Sequence, residues 1–205
     1  LEEIKYMYTL EDGKFAVKAA RKTITALLTN KSKPKFKFPE IFNEKSGVFV
    51  TLNTYPDHQL RGCIGYPEPR EKLRLALVDS AISASTRDPR FNPVSKSELK
   101  HIVIEVSLLT PPKFIKVKKP KEYLEKIKIG RDGLIVERGM NRGLLLPQVP
   151  IEWKWRVEEF LAHTCMKAGL SPDSWFEKDV KFYKFSAEIF SETEPDGKVV
   201  RKKLQ

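Results

Sequence analysis

Two strand-like runs, GVFVTLNT (47–54) and LRGCIG (60–65), are joined by the turn TYPDHQ (54–59). Parallel neighbours need a crossover of a dozen or more residues, so a connection this short admits only an antiparallel hairpin. The rest of the chain continues that theme. HIVIEVSLL (101–109) reads as a strong strand stopped by Pro111 and Pro112. GLIVERGMNRGLLLP (133–147) reads as two short strands around a Gly139–Gly143 turn, and KFYKFSAEIF (181–190) as a last strand. Helical spacing of Ala16, Ala19, Ala20, Thr23, Ile24, Leu27 and Leu28 predicts a helix over 10–29, capped by Thr9 with Asp12 three residues on. A second helix is expected from near Pro69, burying Leu73, Ala76, Leu77, Ser80, Ala81 and Ala84. A third runs over about 155–168 and stops at Gly169, with a short helical turn at Ser171-Pro172. KSKPKFKFPE (31–40) is a loop, and the tail DGKVVRKKLQ reads as frayed. No regular βαβ rhythm appears, so the fold class is α+β with mainly antiparallel sheets.

The net charge of +11 has two readings. Abundant Lys and Glu, with Gln only at 59, 148 and 205, resembles a heat-adapted surface. A basic surface also attracts phosphates. The lysines are spread along the chain, and the densest run, KFIKVKKPKEYLEKIK (113–128), carries Glu122 and Glu125. Without a base-reading motif, any nucleic-acid binding is expected to be weak and non-specific. No apolar run approaches the ~20 residues of a membrane span. The start, LEEIKYMYTL, lacks the basic and apolar regions of a signal peptide. Two cysteines form no secreted disulfide framework, so a cytoplasmic location is expected, with one intracellular disulfide conceivable only in a hyperthermophile.

The chemistry concentrates around LRGCIG. Strand alternation puts Arg61 and Cys63 on one face, roughly 6–7 Å apart along the backbone. A guanidinium beside the thiol, and a helix N-terminus following shortly, would favour the thiolate. The flanking Gly62 and Gly65 leave room for a ligand or for another chain segment. The competing reading is a small Cys packed under a helix. Glu105 sits mid-strand in an apolar run, so it is either a proton carrier or half of an ion pair with Arg61 or Arg90. The loop TRDPRFNP (86–93) offers Arg87 and Arg90 as an anion clamp, or is simply an Asp-Pro turn. No histidine suits a Cys–His pair. His58 lies roughly 16 Å from Cys63 along an extended chain, and His163 projects about 160° from Cys165 on its helix. Four convergent zinc ligands are lacking, so no metal is expected.

Five blocks in order carry a family resemblance: LRGCIG, SASTRDPRFNPVS, IEVSLLTPP, GRDGLIVERG and RGLLLPQVP. Together they resemble the AMMECR domain over about 47–190, and EEFLAHTCMKAGLSPDSW resembles its prokaryotic branch. The resemblance implies two lobes, with LRGCIG near their junction and both termini in the larger. On that basis 1–112 plus 176–205 form the large lobe and 113–175 the small one. It implies no particular reaction or cofactor. It does imply association with a Memo-like dioxygenase-family protein and a radical-SAM protein. Two function classes follow. In the first, a cytoplasmic enzyme or enzyme component binds a small anionic substrate in an inter-lobe cleft. Cys63 is its thiol, Glu105 the proton carrier, Arg61 the electrostatic partner, and Arg87 and Arg90 position the ligand. In the second, a non-catalytic module binds nucleic acid or an acidic protein through its basic surface.

Overall fold

The computed structural model describes residues 7–202. The first six residues, most of the segment read against a signal peptide, and the last three lie outside them. The described residues divide into two compact units, 7–109 with 188–202, and 110–187.

In the first unit, α1 (Leu10–Leu28) is capped as its sequence predicts. The Thr9 hydroxyl accepts from the Asp12 N–H, and the Asp12 carboxylate accepts from the Thr9 N–H. Strands β1 (Val48–Thr54) and β2 (Leu60–Tyr66) form the antiparallel hairpin, and β3 (Ile102–Leu109) pairs antiparallel on the other side of β1. Helix α2 (Leu73–Thr86) buries the stripe expected of it, but it starts after Lys72 rather than at Pro69. Before β3 the chain makes a short 3-10 helix, Lys96–His101, capped reciprocally by Ser95 and Glu98.

KFYKFSAEIF is not one strand. In the second unit β4 (Lys113–Phe114), β5 (Gly133–Arg138), β6 (Asn141–Leu145) and β7 (Lys181–Phe185) form a four-stranded sheet ordered β4-β7-β5-β6. After Ser186 the chain leaves that sheet. Strand β8 (Ala187–Glu192) and β9 (Val199–Lys202) complete the five-stranded sheet of the first unit, ordered β2-β1-β3-β8-β9. Two expectations are corrected here. Residues 110–112 and 176–187 belong with 113–175, because β7 pairs with both β4 and β5. The tail read as frayed contains β9, paired to β8 through Ile189↔Lys202 and Glu192↔Val199.

Each unit has its own core. In the first, Ile24, Ala76, Leu77 and Ala81 of the helices meet Val50, Leu52, Ile104, Val106 and Phe190 of the sheet. One buried ion pair crosses it. Arg21 of α1 donates from Nε to Glu192 at 2.8 Å and from Nη2 to the Ile102 carbonyl at 2.8 Å, while Glu192 accepts the Ile104 N–H at 2.8 Å. Every arm of the pair is satisfied, so it fixes α1 against β3 and β8 rather than leaving a charge unpaired. In the second, α5 (Val157–Lys167), which follows the short helices α3 (Tyr123–Lys126) and α4 (Val149–Glu152), packs Phe160, Leu161 and Cys165 on Leu134, Val136 and Phe182. Gly169 ends α5 at φ +73, as its position predicts. The hairpin turn lies at Gly139, φ +57, whereas Gly143 lies inside β6.

Candidate functional site

Register places the LRGCIG residues. Cys63 faces Thr51 of β1, and Thr51 faces Glu105 of β3. Directly paired residues share a face, so a thiol, a hydroxyl and a carboxylate line up across three strands. The outer two lie two strand spacings apart, roughly 9–10 Å. Gly62 points the other way, toward α2. A Cβ there would lie 2.2 Å from the Ala84 carbonyl oxygen, and one at Gly65 would lie 2.2 Å from the Val48 carbonyl oxygen. Both glycines therefore admit other chain segments, the last turn of α2 and strand β1.

Cys63 is half-buried. The Thr51 hydroxyl donates to its sulfur at 3.3 Å. Its backbone is gripped from the 86–93 loop. The Cys63 N–H donates to Asp88 Oδ2 at 2.8 Å, and its carbonyl accepts from Arg90 Nη2 at 3.2 Å. Asp88 is buried, at 4 % exposure, and its carboxylate accepts three further hydrogen bonds, all from Arg90. These come from its N–H at 3.1 Å, Nε at 2.9 Å and Nη2 at 2.7 Å. The bonds from the Arg90 guanidinium, joined by the backbone donors, hold the Asp88 carboxyl far below the usual carboxylate range. The Arg90 guanidinium also lies 5.5 Å from the centre of the Phe91 ring.

Burial pushes the Cys63 thiol up. The Thr51 hydrogen bond and the Arg90 charge pull it down, and Asp88 and Glu105 add to the rise. The thiol is therefore neutral at pH 7. Two sequence expectations are corrected by this geometry. Arg61 is not the cation beside the sulfur. Its Nε donates to Glu98 at 2.7 Å and its Nη1 to the Asn92 carbonyl at 2.9 Å, so it straps the loop to β2. Burial works against the Glu98 charge, but Arg61 and Ser95 outweigh it and hold the carboxyl down to about 2. Nor does a helix N-terminus serve Cys63. The helix end over the neighbouring Gly62 is the C-terminal turn of α2, whose dipole disfavours a thiolate.

Glu105 pairs with neither Arg61 nor Arg90. Its carboxylate accepts from Lys202 Nζ at 2.7 Å, a contact supplied by β9. The proposed clamp also divides. Arg90 lies under β2, whereas Arg87 pairs with Asp79 of α2 at 3.5 Å, and Asp79 also accepts the Tyr66 hydroxyl. Cys165 belongs to the second unit, is fully buried, and burial pushes its thiol up to about 11. The His163 ring stacks on Trp155 at 3.8 Å between centres. Both cysteines are free. Among the described residues no group of three or more His, Cys, Asp and Glu is placed to hold a metal ion, and no helix is long and apolar enough to cross a membrane.

Sequence reasoning assigned no site role to Asp88, Thr51, Phe91 or Glu98. Two left usable traces. Ser95 and Glu98 have the spacing of a capping box, and Thr51 follows from counting register back through the hairpin. Asp88 looks like any Asp-Pro turn residue, and only the fold brings the Cys63 N–H to it.

Comparison with known proteins accords with this layout. The family model described as AMMECR1 matches residues 17–190. The chain is 61% identical over 198 residues to protein MJ0810 of Methanocaldococcus jannaschii, covering 97% of this chain and 98% of that one. It is 54% identical over 198 residues to protein MK0488 of Methanopyrus kandleri, covering 96% of each. The crystal structure of protein PH0010 from Pyrococcus horikoshii superposes with a TM-score of 0.80 at 50% identity, over 97% of this chain and all of that one. The α+β fold is therefore shared with that solved structure, and the chain is a member of the AMMECR1 family.

Proposed function

We propose that the chain is a cytoplasmic enzyme, or the ligand-handling component of one, that meets a small anionic substrate on the Cys63 face of the five-stranded sheet. The observation that supports this reading is the matched register of Cys63, Thr51 and Glu105 on three adjacent strands. The opposite face of the same strands is apolar core. In this reading Arg90, with its side chain about half exposed, meets the anion. Cys63 enters as a neutral thiol. The thiolate forms only in the occupied site, where the Thr51 hydroxyl turns from the sulfur toward Glu105, accepts the thiol proton and passes its own to the carboxylate. Arg61 acts as a positioning residue for the loop, and Arg87, turned to Asp79, has no role at the sulfur.

Free cysteines suit a reducing compartment, and the Lys- and Glu-rich surface suits adaptation to heat. The same reading keeps a Memo-like dioxygenase-family protein and a radical-SAM protein as partner enzymes. It gives the exposed lysines only a salt-sensitive attraction for nucleic acid.

A thermal-shift screen of small carboxylates, phosphates and nucleotides tests the proposal, run on wild type, Cys63→Ser and Arg90→Met. The expected result is an anion that raises the wild-type melting temperature and loses its effect in Arg90→Met. Stabilisation that persists in Arg90→Met, or no responsive anion at all, would remove the site reading.

A further inference from the structure

Helix α2 is apolar on two sides. One stripe is the core. The other, Leu75, Val78 and Ile82, recurs at helical spacing and faces away from that core, leaving Leu75 half exposed. A second apolar stripe on a helix needs a partner of its own, and here it borders a groove of about 1040 Å³ between α1, the 31–38 loop and α2. The facing wall is aromatic. In KSKPKFKF exposed lysines are interleaved with half-buried Pro34, Phe36 and Phe38, and Phe36 and Phe38 are wedged edge-on against Phe15 at 6.4 and 5.3 Å between ring centres. Neither wall is a loose surface. The volume matches that of a site for a small organic molecule.

Polar groups with nothing to bind line the same groove. The Thr23 hydroxyl, on a residue only 5% exposed, has no hydrogen-bond partner. The Arg74 Nε is likewise buried without one, and among the described residues the Arg74 guanidinium forms no ion pair. A buried donor without an acceptor costs free energy unless a ligand supplies one. Charge points the same way. Lys31, Lys33, Arg74 and Arg87 line the groove against Glu71 and Asp79, and Asp79 is already engaged by Arg87 and Tyr66. The uncommitted charge is basic.

We propose that this groove is a second ligand site, separate from Cys63, for a small organic anion. The ligand carries a carboxylate, sulfonate or phosphate on a flat apolar body. The anion accepts from the Arg74 guanidinium, and the body lies between the Phe36–Phe38 wall and the Leu75–Val78–Ile82 stripe.

The test uses two fluorescent probes of one shape and different charge, 8-anilinonaphthalene-1-sulfonate and its uncharged parent N-phenyl-1-naphthylamine. Wild type is expected to bind the sulfonate saturably at one site. Arg74→Met weakens it by about tenfold or more, the effect of one charge-assisted hydrogen bond, while the uncharged parent changes little. Leu75→Asp, at an exposed position that does not threaten folding, weakens both probes. Cys63→Ser changes neither, which separates this site from the one proposed above. Sulfonate binding equal in wild type and Arg74→Met would overturn the proposal. So would equal affinity for both probes in every variant, which marks an apolar docking face, or sensitivity to Cys63→Ser in place of Arg74→Met.

Discussion

Replacing Asp88 by Asn preserves the shape of the side chain and removes its charge, which isolates what the carboxylate does. One oxygen of the amide can still accept from the Arg90 N–H and Nε. The amide nitrogen then faces the Cys63 N–H, which loses its acceptor, and Arg90 Nη2, which keeps only the Cys63 carbonyl. The stranded Cys63 N–H costs about 1–3 kcal/mol. The Arg90 contribution is discounted, because its side chain is 53% exposed and water replaces the lost partner. The total comes to about 2–4 kcal/mol at pH 7, a fall in melting temperature of roughly 5–15 °C. The sign with pH follows from the depressed Asp88 value. Its stabilisation is complete above the unfolded carboxyl value of about 3.9 and is lost as pH falls below it. The gap between wild type and Asp88→Asn therefore closes by about 1.4 kcal/mol for each pH unit below that point. Urea denaturation at pH 7, 4 and 3, followed by circular dichroism, measures it. A gap under 0.5 kcal/mol at pH 7 (about the scatter of surface substitutions), or one that stays flat to pH 3, would refute the reasoning.

Gly62→Ala drives a Cβ to within 2.2 Å of the Ala84 carbonyl oxygen, and a backbone atom cannot swing aside. A loss of about 2–3 kcal/mol is expected by denaturant melting, and an unperturbed variant would mean that α2 does not close on β2 this tightly. Iodoacetamide should label Cys63 faster than the fully buried Cys165, with a pH midpoint above the ordinary thiol value of about 8.5. Thr51→Val should move that midpoint further up by removing the one hydroxyl donated to the sulfur, and a fall would contradict the assigned hydrogen bond. Glu105→Gln loses only the ion pair to a half-exposed Lys202, so its stability should change by less than about 1 kcal/mol. A loss several times larger would make Glu105 a structural residue and leave the proposed proton transfer without an acceptor.

Much of this was legible from local rules. The hairpin, the capped α1, the buried stripe of α2 and the glycine stop of α5 each depend on a few neighbouring residues whose spacing or φ requirement stands in the chain itself. Errors appeared where a choice was made at a distance. KFYKFSAEIF has the composition of one strand, yet its two halves join different sheets, because β7 finds its partners in β4 and β5 while β8 reaches β9. The site divides the same way. Sequence alternation put Arg61 and Cys63 on one face, but the β1–β2 register shifts between Leu52↔Gly62 and Asn53↔Leu60 and leaves Arg61 without a partner across the hairpin. Whether Arg61 reaches the thiol depends on what else competes for its guanidinium, and Glu98, 37 residues away, wins.

The sequence by itself determined the class of fold and singled out LRGCIG as the candidate site, because short connections, caps and periodicity are set within a turn or two of chain. Tertiary structure alone decided the character of Cys63. Charge on a thiol is settled by burial and by the groups brought within a few ångströms. Folding brings Arg90 and Thr51 to one side of the balance, and burial, Asp88 and Glu105 to the other, where the neutral form prevails.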